Sequence, residues 1–280
     1  MLSVSEISTA HVSLTSRPLR AALRHAARLG HVTMGIVYVV VGFIALIAAF
    51  DRRLQPTGAE GALYALRASA LGRAAIAGIA VGLVADSVWQ GVRAVVDSDG
   101  VGDEVSGLAQ RIAAAVTGLL HLGLAIAAMR LLLGTSPPSL DATANSWLAR
   151  ILALGPGPWL VGIAGAVTLG IAASMLYIAV APAMLARLNL EAAPRILRVA
   201  TVLWARVGYL ARGAVYAIIG GLLLLSALHP PAREAGTVGG ALRTVRYERH
   251  GASFLALIGI GFIANGTVEL VRARHRTIRL

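Results

Sequence analysis

The chain has 280 residues, of which 57% are hydrophobic and only 14% charged, at a mean hydropathy of +0.76. An average soluble domain is about a quarter charged, so the composition excludes an ordinary soluble domain and places the chain in a membrane. All 25 basic residues are Arg, Cys is absent and the formal net charge is +12, which removes the Lys-dependent phosphate loop, disulfides, thiolate nucleophiles and Cys-ligated metal clusters.

Residues 1–26 form a basic segment without the compact apolar core and cleavage site of a signal peptide. Ser16 is placed to cap a short helix on which Arg17, Arg20, Arg24 and Arg28 share a face. That face suits anionic headgroups or serves as a plain positive-inside flank. Six near-continuous apolar stretches follow, near 31–50, 72–96, 112–133, 158–181, 207–228 and 253–271. Each is long enough for a hydrocarbon layer of ~30 Å, which takes roughly 20 helical residues. Between them, 60–73 and 237–251 mix Ala, Leu and Arg and read as short helices lying on the outer interface. The stretch LGPGPW at 154–159 reads as a loop, with Trp159 as an interfacial anchor.

Arginines cluster beside the chain ends, at Arg17, Arg20, Arg24 and Arg28 and again at Arg272, Arg274, Arg276 and Arg279. The excess of Arg favours cytoplasmic termini, and six crossings put both termini on one side. The expected location is the bacterial cytoplasmic membrane. Membrane orientation also accounts for the positive charge, because the arginines make no stripe or motif for nucleic acid.

The chain repeats itself. ARLGHVTMGIVYVVVG at 27–42 returns as ARVGYLARGAVYAIIG at 205–220, and Gly61, Ala62, Leu63, Arg67, Gly72, Gly82 and Arg93 return as Gly240, Ala241, Leu242, Arg246, Gly251, Gly261 and Arg272. A fainter middle copy pairs Arg28 with Arg111, Gly35 with Gly118, Arg67 with Arg150, Gly72 with Gly155 and Gly82 with Gly165. Three two-helix hairpins result, at 27–96, 109–181 and 205–273. Hairpins with two crossings all enter from the same side, so they are parallel repeats about an axis along the membrane normal. The expected fold is an all-α, six-helix bundle with a pseudo-threefold axis.

The ARxGxxARGxVY signature at 205–216, the GAL…R loop and the glycine-bearing second helix that ends in Arg resemble the bacterial membrane family catalogued as domain of unknown function 1206. The resemblance covers residues 27–273. Met34 stands for the signature Arg in repeat one; in repeat two Thr117 stands for it and His121 for the Tyr. The resemblance implies a fold and a membrane location, with no reaction attached.

Lipid gives no hydrophobic drive between helices, so small residues that let backbones approach take over. The spacing nominates Gly35, Gly42, Gly118, Gly213 and Gly220 on first helices, and Gly78, Gly82 and Gly261 on second helices. The i, i+4 row Gly78, Gly82, Asp86 and Gln90 is echoed by Gly261, Asn265 and Glu269. Measured at 1.5 Å per residue from the flanking Arg93, Arg206 and Arg272, Asp86, Arg212 and Asn265 share a depth of ~10 Å. They are expected to cluster there, with Glu269 one turn nearer the surface beside Arg272. Tyr38, His121 and Tyr216, each ~15 Å from its own Arg, make a candidate midplane ring.

An intramembrane carboxylate costs about 2.5–3.5 kcal/mol on insertion scales, so Asp86 needs a partner or water. The cluster reads either as an ion, proton or anion site or as a pair that fixes helix register. No cofactor is expected. His31 and His121 differ in depth, against haem, and no HxxxH or HExxH spacing exists for a metal. Ser87 and Ser174 lie in no nucleophile elbow, which argues against an enzyme. Two classes remain: a structural or partner subunit that meets lipid, or a small transporter with its polar site at Asp86, Arg212 and Asn265.

Overall fold

The computed structural model describes residues 17–51, 53–96, 104–135, 139–181, 194–229 and 237–275. Ser16, Arg187, Arg276 and Arg279 lie outside them. The described helices are α1 (Arg17–Phe50), α2 (Ala59–Leu66), α3 (Ala70–Val96), α4 (Val105–Leu132), α5 (Leu140–Leu152), α6 (Gly157–Val180), α7 (Arg195–Leu228), α8 (Val238–Arg246) and α9 (Gly251–His275). Six of these, α1, α3, α4, α6, α7 and α9, are long and apolar enough to cross a membrane.

Residues 17–26 of the basic segment are helical and run directly into the first crossing. Like α7, α1 is 34 residues long, or ~51 Å at 1.5 Å per residue, so both project beyond a ~30 Å apolar layer. Pro158 stands in the first turn of α6, where its missing N–H is harmless. The helix therefore starts inside LGPGPW, at Gly157, and Trp159 is 78% exposed on it.

The long helices form an incomplete ring in the order α1, α3, α4, α6, α7, α9, open between α4 and α6. Its most extensive pairings are α9 with α1, α6 with α7 and α3 with α4, all between repeats. Glycines set these contacts. A Cβ at Gly35 would meet Gly266 O at 3.0 Å, one at Gly118 would meet Ser87 O at 3.2 Å, and one at Gly213 would meet Ala172 O at 3.3 Å. One turn pair further on, Gly42 approaches Gly259 O (2.6 Å) and Gly220 approaches Gly165 O (3.0 Å). The same joint is thus built three times, and α1 runs antiparallel to α9. The N-terminal end of α1 and the C-terminal end of α9 share one end of the bundle, here the terminal end; α2, α5 and α8 lie toward the other, the short-helix end.

These contacts correct the register of the middle repeat. A Cβ at Gly72 would land on Leu66 O, one at Gly251 on Val245 O, and one at Gly157 on Ile151 O, whereas Gly155 faces open space. Gly157 is therefore the counterpart of Gly72, two residues later than the sequence match, and Gly165 corresponds to Ala80 and Gly259 rather than to Gly82. Two extra loop residues before α6 disguise the shift. Gly78 is a second correction: nothing lies within 4 Å of its Cβ position. An i, i+4 row drifts about 40° around the helix per step, so a stripe that faces Thr33 at Gly82 has turned to the outside by Gly78.

The pseudo-threefold is interrupted at one joint. In repeat one α1 packs on α3, and in repeat three α7 packs on α9, whereas α4 and α6 make at most marginal contact among the described residues. Gly82 nests on Thr33 and Gly261 on Ala211. By the repeat register the corresponding residues are Val167 on α6 and Val116 on α4, and both are at least half exposed. Side chains of that size keep the two backbones apart.

A continuous apolar core fills the short-helix half, with Val41, Ala45, Leu63, Ile76, Leu83, Ala128, Val215, Leu242 and Leu255 all buried. Leu63 and Leu242 come from α2 and α8, so these helices plug the bundle rather than lie flat on an interface. The end is laced by polar bonds: Asp141 at the start of α5 accepts from Thr237 Oγ1 (2.6 Å) and Arg243 Nη1 (2.7 Å). Arg246 donates to the carbonyls of Asp51 and Leu54 beyond α1.

Overpacking a close contact costs about 1–3 kcal/mol. Gly42→Leu is therefore expected to lower thermal stability in detergent clearly, while Gly78→Leu changes it by no more than about 0.5 kcal/mol, as open surface sites do. Equal losses in the two variants would contradict the close approach at Gly42.

Candidate functional site

The polar side chains of the crossing region gather in the terminal half, beyond the apolar core. Asp86, Asn265 and Glu269 are 5%, 2% and 8% exposed, in an environment where an unpartnered ionised group costs several kcal/mol.

Asp86 lies on α3 against α1, where a Cβ at Gly30 would meet its Oδ1 at 2.6 Å. Its partner comes from the next repeat: His121 Nδ1 on α4 lies 2.6 Å from Asp86 Oδ2. Where the carboxylate is ionised it accepts, and the imidazole donates from Nδ1. Gln90 Nε2 reaches the same oxygen at 3.5 Å, and Arg93 Nη1 donates to Gln90 Oε1 at 2.8 Å. A run of polar groups therefore descends from His121 through Asp86 and Gln90 to Arg93, toward the terminal end.

Glu269 makes a second such joint. His31 Nδ1 on α1 lies 2.7 Å from Glu269 Oε2, and Arg272 Nη1 bonds Glu269 Oε1 at 3.0 Å. Both carboxylates thus meet a histidine across an inter-repeat joint, α3 with α4 and α9 with α1. At the third joint, α6 with α7, the positions matching Asp86 and Glu269 are Ile171 and Met175, and among the described residues no such pair exists there.

The expected pairing of Asp86 with Arg212 does not form. α3 and α7 are not neighbours and stand opposite each other in the ring. Arg212 instead reaches inward over the Tyr38 ring, 5.5 Å from its centroid, a cation–π contact, within coulombic range of Tyr216 and Glu269. Tyr38 also stacks on Phe262 at 5.9 Å. Asn265 packs on Gly208 as Asp86 packs on Gly30, and its buried Nδ2 finds no hydrogen-bond acceptor among the described residues.

The polar cluster and the midplane ring are consequently one layer. Asp86 bonds His121, and Arg212 covers Tyr38; side chains bridge the ~5 Å of depth that separates the two sets along the helix axes. Residue spacing did not single out His31 as the partner of Glu269. The available signal was positional: His31 lies four residues before Gly35, the glycine that docks α1 on α9. Nor did it give a role to Arg111, whose Nε and Nη2 cap the last carbonyls of α3 at Ala94 (2.8 Å) and Val95 (3.1 Å). Ser87 Oγ crosses to Gly118 O at 2.8 Å, and Ser174 Oγ bonds back to Ile171 O in its own helix.

Removing one member of a buried ion pair costs about 3–5 kcal/mol by stranding the other, and removing both is far milder. In a double-mutant cycle, Asp86→Ala and His121→Ala are expected to couple by more than about 1 kcal/mol, while Asp86→Asn and Arg212→Met sum within about 0.5 kcal/mol. Unfolding in detergent measures both cycles; an additive Asp86/His121 cycle removes the pair as a stabilising contact.

Among known proteins, the chain is 23% identical over 266 residues to the uncharacterized protein YxxB of Bacillus subtilis (strain 168), with 95% of this chain and 96% of that protein covered. No solved structure matches significantly. The family model described as Domain of Unknown Function (DUF1206) matches three times, at residues 29–97, 112–181 and 207–276. Each match holds one pair of long helices and the short helix between them, and together they take in most of the sequence: this chain belongs to the DUF1206 family and consists of three tandem copies of its domain.

Proposed function

We propose that the protein is a structural or partner subunit of the bacterial cytoplasmic membrane, with both termini in the cytoplasm, and that its intramembrane polar groups lock the three repeats in register. The observation that carries this reading is the placing of the carboxylates. Asp86 and Glu269 each bind a histidine from the adjoining repeat, beside the glycine contacts that hold the same joints. A buried pair of this kind specifies register more than it adds stability. The seam between α4 and α6 supports the partner role, since it leaves apolar helix faces unmatched within the chain. Arg24 and Arg28 on α1 and Arg274 on α9 are exposed at the terminal end, where they suit anionic headgroups and cytoplasmic placement.

A transport reading has one specific observation behind it: the descent from His121 through Asp86 and Gln90 to Arg93, groups of the kind that relay protons in membrane proteins. Flux separates the two. Proteoliposomes of the wild type are expected to show no proton or ion flux above empty vesicles under imposed pH and ion gradients. Flux that is present in the wild type and lost in a folded Asp86→Asn variant overturns the structural reading in favour of transport. For orientation, single cysteines introduced at Ser3 and Arg279 into this Cys-free chain are expected to resist an impermeant thiol reagent in intact cells and to react after lysis. Labelling from outside at either site reverses the topology.

A further inference from the structure

A groove of about 810 Å³ runs between α7 and α9 on the flank of repeat three. Its floor is lined by Ala211, Ala214 and Ala217, small residues that leave depth between the helices. Leu210, Phe254 and Leu257 form its apolar walls and are 45%, 57% and 62% exposed. These residues lie within the crossing helices, so the groove opens sideways toward lipid chains. Its short-helix end is different in kind, because Glu248, Arg249 and His250 line it there, all exposed, between α8 and the start of α9.

We propose that this groove is a binding site for one phospholipid with a phosphate and a primary ammonium in its headgroup, the phosphatidylethanolamine class. An acyl chain fills the alanine-floored channel. Arg249, with His250 beside it, takes the phosphate, because the guanidinium fork matches phosphate oxygens. Glu248 takes the ammonium. A rim that carries one carboxylate next to one guanidinium complements a zwitterionic headgroup better than a purely anionic one.

Repeat one shows that the feature is specific to repeat three. By the repeat register, Glu248, Arg249 and His250 correspond to Ser69, Ala70 and Leu71, which carry no charge. Ala214 corresponds to Ile36, a larger side chain at the channel position, and Phe254 corresponds to Ala75, too small to form the wall. By this correspondence repeat one keeps neither the small channel residue nor the Glu–Arg–His rim. The proposal rests on the membrane placement of the helices and is independent of the choice between subunit and transporter.

The test uses the full chain in detergent, titrated with dioleoyl phosphatidylethanolamine, phosphatidylcholine or phosphatidylglycerol and followed by melting temperature and native mass spectrometry. The wild type is expected to bind the ethanolamine lipid several-fold more tightly than the other two. Arg249→Gln is expected to weaken it by about tenfold or more, as loss of a charge-assisted hydrogen bond does. Glu248→Gln is expected to erase the preference for ethanolamine over glycerol while binding persists, and Ala214→Phe to block the channel for all three lipids. Ala70→Gln, at the matching site of repeat one, is expected to change nothing. Equal response to the three lipids in the wild type, a preference for the glycerol lipid, or undiminished ethanolamine binding in both Arg249→Gln and Ala214→Phe overturns the proposal. The two rim variants are surface changes, so a lost response in them with an unchanged melting temperature in detergent alone reports on binding and not on folding.

Discussion

Backbone approach at glycine is the constraint on which the bundle depends. In hydrocarbon, apolar surface gains nothing by leaving the solvent for another helix, and association falls to close packing and interhelical polar bonds. Gly35, Gly118 and Gly213 each bring a first helix onto a carbonyl of the preceding repeat's second helix, with Gly35 closing the ring on α9. Because the joint lies between repeats, no hairpin is complete alone. Each lends its second helix to the next, and the third returns to the first.

That joint also organises the polar chemistry. Where two backbones run close, side chains just beyond the contact face each other at short range, and a carboxylate there is protected only if the opposite helix offers a donor. At two of the three joints it does, as His121 for Asp86 and His31 for Glu269. At the third, α6 carries Ile171 and Met175 and so offers no carboxylate to Tyr209 and Tyr216, the α7 counterparts of the two histidines. Within the crossing helices, an apolar core plugged by Leu63 and Leu242 of α2 and α8 occupies the short-helix half, and the buried Asp86 and Glu269 lie in the terminal half.

The repeats have diverged unequally. Repeats one and three keep their internal nests, Gly30 on Asp86 and Gly208 on Asn265, Gly82 on Thr33 and Gly261 on Ala211. Repeat two has Ala113, Val116, Val167 and Ile171 at those places, and its two long helices part. These changes remove both the small-residue contact and the polar group that hold the pair in the other repeats, and a seam opens there while the inter-repeat joints keep the bundle together.

The sequence by itself determined the number of crossings, the tandem hairpins and the glycines Gly35, Gly42, Gly118, Gly213 and Gly220, because apolar length and helical spacing are local properties. It also gave the distances of Asp86, Arg212 and Glu269 from the flanking arginines along their own helices, since rise per residue is fixed. It did not determine azimuth. Which helices are neighbours, and so whether Asp86 meets Arg212 or His121, depends on the order of the ring, and two residues at one depth on opposite helices look the same along the chain as two in contact. The middle register failed for a related reason: two inserted loop residues move Gly157 into the place that Gly155 holds in a direct match, and only the carbonyl it must clear reveals the shift. Depth is written along one helix, whereas contact belongs to pairs of helices, and those pairs were decided by the tertiary structure.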